Sequence, residues 1–146
     1  IYFCYLNIML YNQIYILKRN IFMYLFVYGT LIKGESNHKT LGNSKLIGDA
    51  FTKGTLFDIG NYPALIPDGD NDIKGEIYEV DSDTLIQCDL LEGYDVDNPN
   101  SLYIRETIDV KINNKMIRSY IYYSNFDLSN YSEITSGDYV KNRKKK

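Results

Sequence analysis

Glu92 is the residue in this chain best placed to move a proton. It lies seven residues after Leu85 and four after Cys88, so on a helix it projects from the same stripe as those apolar side chains. It also stands directly before Gly93, at a helix end where the backbone dipole opposes negative charge by about 0.3–1 kcal/mol. Partial burial adds to that penalty and pushes a carboxyl pKa upward. A carboxylate poised near neutral pH beside an apolar wall is what general acid–base catalysis requires. The same position also fits a glutamate that swings into water at a frayed helix end, and spacing alone does not separate the two. Asp89, one turn back, reads either as a carboxylate bracing a loop or as a second acid.

A second candidate is the stretch Leu25-Phe26-Val27-Tyr28-Gly29-Thr30-Leu31, where a run of strand composition stops at a glycine. Just past such a bend, backbone N–H groups can point the same way without sheet partners, and a cluster of free amides captures carboxylates or phosphates. The plainer alternative is the first strand and first turn of a small domain, and it stays open at this point.

The elements that must hold these residues can be read in order. A strand ends at Val27, and Ser36 or Asn37 can cap a short helix closed by Gly42. Residues 46–59 read as extended chain. Pro63 places Tyr62-Pro63-Ala64-Leu65-Ile66 at a sheet edge or in a loop, and Asp68-Gly69 predicts a turn before a strand from Ile73 to Val80. The clearest helix runs from Ser82 to Leu91, capped by Asp81 or Ser82 and ended by Gly93, with Leu85, Cys88 and Leu91 as its apolar stripe. Arg105 to Ile112 alternates, and Asn113-Asn114 can turn it into a strand from Met116 to Tyr123. Five or six strands against one clear helix predict an α+β fold, a small mainly antiparallel sheet closing as a β-barrel with short flanking helices.

Composition narrows the function. The 146 residues make one domain with room for a core, and a net charge of −3 gives no electrostatic case for nucleic acid. The two cysteines, Cys4 and Cys88, form no disulfide framework and neither has metal-ligand spacing. His38 is the only histidine, which argues against a histidine metal site or a Ser-His-Asp triad. Reduced cytosol is the expected compartment. Fifteen tyrosines with no tryptophan, among many Ile, Asn and Lys, reflect AT-rich codons before they reflect function.

Residues 1–22 are expected to stand outside the domain, as a non-native or disordered leader. They begin with Ile1, contain no Gly, Ala, Pro, Val, Ser, Thr, Asp or Glu, and precede Met23, the expected start. They are too short and too interrupted by Asn7, Asn12 and Gln13 for a membrane span, and lack the basic start and cleavage site of a signal peptide. The domain is expected over 23–140, followed by a basic tail, 141–146, frayed in solvent.

Five pieces of the sequence resemble one family. Tyr28-Gly29-Thr30-Leu31 followed by Gly34-x-x-Asn37-His38, Tyr62-Pro63-Ala64, the Gly75 to Val80 strand, Asp89-x-x-Glu92-Gly93-Tyr94 and Tyr103-Ile104-Arg105 fall in the order of the gamma-glutamylcyclotransferase-like superfamily. The likeness is to its gamma-glutamylamine cyclotransferase and AIG2-like branch, and covers Met23 to about Tyr123. It implies a compact β-barrel and an enzyme without cofactor or metal, with Glu92 as the catalytic acid and base. A gamma-glutamyl small molecule would bind with its α-carboxylate on the N–H groups of Tyr28, Gly29, Thr30 and Leu31, with Tyr94 bordering the pocket. The product would be 5-oxoproline and a free amine. Arg105 is expected to pair with a carboxylate, and Asn37 and His38 to brace the opening loop. The reading from another class is a small-molecule binding or interaction module that keeps the fold without turnover; the presence of Glu92 favours the enzyme.

Overall fold

The structure, a computed structural model, describes residues 2–19 and 21–146. Strand β1 (Met23–Val27) is followed by a loop and a short 3₁₀ turn (His38–Leu41), then by β2 (Lys45–Asp58) and β3 (Pro63–Val80). Helix α1 (Tyr2–Arg19) precedes β1, and helix α2 (Ser82–Glu92) follows β3. The chain then forms β4 (Tyr103–Ile112), β5 (Lys115–Ser124), a two-residue β6 (Ser132–Glu133) and α3 (Tyr139–Arg143).

The strands lie in the order β3-β1-β5-β4-β2, and β2 pairs back onto β3, which closes a five-stranded barrel; β6 adds outside it at the end of β2. Every pairing is antiparallel except β1 with β5, which is parallel at Leu25 and Tyr120. The α+β barrel with short helices is therefore present, with mixed rather than uniform strand direction. β1 is buried on both faces, as parallel strands commonly are. Phe26 points into the barrel with Leu56, Leu65, Ile77 and Ile121, while Leu25 and Val27 point to a second apolar layer with Leu85 and Cys88 of α2.

Local chemistry explains the elements that frame the site. Asp81 caps α2, its carboxylate accepting from the Thr84 N–H at 2.8 Å. Gly93 ends the helix in the left-handed region at φ +66, its N–H bonding back to the last turn. Asn113 and Asn114, both at positive φ, make the tight β4–β5 turn.

Three expectations are corrected. Asp68-Gly69 does not end a strand: β3 runs straight through, and the pairing with β2 jumps from Thr55–Ile66 to Gly54–Asn71, so residues 67–70 bulge out. The Thr55 hydroxyl donates to the Asp68 carbonyl at 2.7 Å and steadies that bulge. Leu91 is not in the buried stripe with Leu85 and Cys88 but is exposed. The basic tail lies in solvent but is tied down rather than frayed: Arg143 pairs with Glu35, in the loop after β1, at 2.7 Å, and Lys146 with Asp58, at the end of β2, at 2.6 Å.

Residues of the expected leader form a helix, yet every side chain from Cys4 to Leu17 is exposed. Ile1 and Asn20, also part of that leader, lie outside the described residues. Among the described residues no helix is long and apolar enough to cross a membrane.

Candidate active site

The bend after β1 and the last turn of α2 face each other across one cleft of about 240 Å³. Tyr28, Gly29, Thr30 and Leu31 line one side and Leu90, Leu91, Glu92 and Gly93 the other. Tyr62 and Pro63, at the entry to β3, and Leu102 and Tyr103, at the entry to β4, complete the walls.

The bend is held from behind. The Ile32 N–H returns to the Gly29 carbonyl at 3.0 Å, and the Asn37 N–H bonds the Thr30 carbonyl at 2.9 Å. Asn37 Nδ2 donates to Thr30 Oγ1 at 3.0 Å, and His38 Nδ1 lies 2.9 Å from the Leu31 carbonyl. Asn37 thus braces the loop instead of capping the 3₁₀ turn with its side chain. Among the described residues no acceptor takes the N–H groups of Gly29, Thr30 or Leu31, which leaves them available to an anion. Gly29 has a further reason to be glycine: a Cβ there would sit 2.6 Å from the Pro63 ring.

Glu92 continues the line of Leu85 and Cys88 and lines the cleft as a partly exposed residue whose carboxyl is desolvated. Among the described residues it has no hydrogen-bond or ion-pair partner. Burial lifts its pKa from the ordinary 4.5 to about 7. Its neighbours feel the charge: the phenols of Tyr28 and Tyr103 are raised by burial and then by Glu92, and the Cys88 thiol is pushed up to about 12 for the same two reasons. That thiol is inert at neutral pH.

The hydroxyls of Tyr28, Tyr103 and Tyr122, three of the tyrosines around the cleft, are committed to the fold. Tyr28 donates to the Tyr122 carbonyl at 2.6 Å and Tyr103 to the Pro63 carbonyl at 3.0 Å. Tyr28 therefore offers its ring to the cleft and its hydroxyl to β5. Asp89 is bound by Arg105 at 2.6 Å and by the Tyr122 hydroxyl at 2.7 Å, which makes it a brace between α2, β4 and β5.

One expected pocket residue is elsewhere. The left-handed turn at Gly93 sends Tyr94 away from the cleft, and its ring lies 5.2 Å from the Arg105 guanidinium, which also stacks on Tyr120 at 4.7 Å. Conversely, Tyr62, Leu90, Leu91 and Leu102 line the cleft without having been expected there. Paired leucines at a helix end and an isolated Leu in a polar loop were the available signals. Among the described residues no group of three or more His, Cys, Asp or Glu side chains is arranged to hold a metal ion.

Comparison with known proteins gives a consistent result. The family model described as "Gamma-glutamyl cyclotransferase, AIG2-like" matches residues 25–141. A Vibrio cholerae protein that carries a provisional gamma-glutamylcyclotransferase name is 43% identical over 119 residues, 80% of this chain and 95% of that protein. The gamma-L-glutamyl-butirosin B gamma-glutamyl cyclotransferase of Niallia circulans is 47% identical over 81 residues, 53% of this chain and about half (51%) of that enzyme. Among solved structures, YkqA of Bacillus subtilis superposes with a TM-score of 0.69 at 32% identity, covering 86% of this chain and 44% of YkqA. The mouse AIG2-like protein gives 0.63 at 27% identity, over 75% of this chain and 82% of its own. The chain belongs to the AIG2-like gamma-glutamyl cyclotransferase family.

Proposed function

We propose that the protein cyclises a gamma-glutamyl amide to 5-oxoproline and releases the amine, with Glu92 as general base and then general acid. The observation that carries this reading is the shared cleft: a carboxylate with no cationic partner among the described residues faces a bend whose amides have no acceptor among them.

The α-carboxylate of the substrate docks on the N–H groups of Gly29, Thr30 and Leu31. The ionised Glu92 takes a proton from the α-ammonium, and the freed nitrogen lone pair attacks the gamma-carbonyl carbon of the same molecule. A carbon–nitrogen bond forms and closes a five-membered ring. Protonated Glu92 then passes its proton to the amide nitrogen as the old carbon–nitrogen bond breaks. The ring nitrogen gives up its second surplus proton, which leaves with the amine as an ammonium ion. Both reacting groups are already tethered, and oriented intramolecular reactions of this kind reach effective molarities of about 10⁵–10⁸ M. The protein is asked only for an anchor, a folded substrate and one proton carrier whose pKa lies near working pH.

The test is release of 5-oxoproline from gamma-glutamyl amides, with Glu92→Gln alongside. Turnover by the wild type and its loss in the variant support the reading. Equal turnover in both removes Glu92 from the chemistry, and binding without turnover assigns the fold to a binding module.

A further inference from the structure

The rim of the cleft is apolar to a degree its surroundings do not require. Tyr62 is 50% exposed, Leu90 69%, Leu91 41% and Leu102 61%, and all four line the same cleft as Glu92. They come from three separate places: the β2–β3 turn, the end of α2 and the approach to β4. Single exposed apolar residues are ordinary, but several from different elements around one opening mark a surface that meets an apolar partner. The charge pattern points the same way. Among the described residues no Lys, Arg or His lines the cleft, and Glu92 is the one carboxylate among them that does. A substrate whose departing part carries its own carboxylate would find no cation there and would face Glu92. One whose departing part carries an ammonium would find no second acid to pair with once Glu92 is engaged in the reaction.

We propose that the amine released by this protein is apolar and carries no charged group beyond the nitrogen being released. The proposal rests on the cyclisation reading above and names the substrate class for it. The gamma-glutamyl part sits between the bend and Glu92, and the amine substituent lies against Tyr62, Leu90, Leu91 and Leu102. An apolar wall of this kind discriminates by losing water from a matching surface, and by leaving a misplaced charge without hydrogen-bond partners.

Matched pairs of substrates test it with the full chain. Gamma-glutamyl-phenethylamide and gamma-glutamyl-L-phenylalanine differ by one carboxylate; gamma-glutamyl-n-pentylamide and gamma-glutamyl-4-aminobutylamide exchange a terminal methyl for an ammonium. In each pair the uncharged member is expected to have the higher kcat/KM for 5-oxoproline release, by about tenfold or more. Leu102→Lys, at an exposed position, should shrink the first preference and widen the second; Leu90→Lys should do the same. Opposite shifts in the two pairs cannot come from a folding defect, which lowers all four rates together. Equal rates within the pairs, preference for the charged members, or both ratios unmoved in the two variants would overturn the proposal and leave the cyclisation reading standing. Absence of 5-oxoproline from all four compounds would remove the cyclisation reading itself, and this proposal with it.

Discussion

Asp89 and Glu92 stand three residues apart on α2 and meet opposite surroundings. Asp89 is held at 2.6 Å by Arg105 and at 2.7 Å by Tyr122, whereas Glu92 faces a cleft with no cation among the described residues and has its pKa raised to about 7. One carboxylate braces three elements; the other, on the proposed reading, carries the proton. Glu92→Gln is therefore expected to lower kcat for 5-oxoproline release by about 10²–10⁴-fold with little change in fold, read by steady-state kinetics and circular dichroism.

Arg105→Ala should act in the opposite sense. It strips a partly buried carboxylate of its partner and two aromatic rings of their cation, so stability should fall by about 1–3 kcal/mol, measured as a shift of the urea midpoint. Asp89→Asn combined with Arg105→Ala should cost less than the sum of the single changes.

The pH dependence of rate follows from the Glu92 carboxyl. The base must be ionised, so kcat/KM should rise with pH through about 7 and flatten above it. An acid limb near the ordinary glutamate value would mean that Glu92 is not the group titrating.

The same shift makes a stability prediction. The folded protein holds the Glu92 proton more tightly than the unfolded chain, so between about 4.5 and 7 the native state binds more protons and stability declines as pH rises. At roughly 1.4 kcal/mol per pKa unit, the ionised side chain costs about 3–4 kcal/mol above that range. Glu92→Gln should remove this decline, making the variant more stable than wild type at pH 8 and close to it at pH 4. Thermal melts at the two pH values read the difference.

Asn37→Ala removes the bond from Asn37 to the Thr30 hydroxyl behind the bend proposed to hold the α-carboxylate. A loss of about 1 kcal/mol in loop order should raise KM by about fivefold while kcat changes less, a split visible in a single substrate titration.

Much of the candidate site's framework was legible because it depends on local rules. Heptad spacing put Glu92 in line with Leu85 and Cys88, and the Asp81 cap and Gly93 stop defined the helix that carries it. The Asn113-Asn114 turn was equally local. What could not be read is set by contacts between distant residues. The parallel pairing of Leu25 with Tyr120 follows from closing the barrel, not from any strand–helix–strand pattern. Pro67-Asp68-Gly69-Asp70 carries turn residues, but the same backbone freedom serves a bulge when the strand beyond it pairs with the same neighbour. Tyr94 left the pocket because the φ of Gly93 reverses the chain, a direction that composition does not encode. Leu91 is exposed because the cleft opens at the end of α2, where a stripe argument assumes continuous cover.

The 2.6 Å that would separate a Cβ at position 29 from the Pro63 ring ties two walls of the cleft to each other. Any side chain installed there must displace either the bend itself or the strand entry that carries Tyr62. Such a substitution reshapes both walls together. Leu90 and Leu102 stand exposed on other elements of the rim, so on the proposed reading they are the positions at which specificity can be changed without moving the bend.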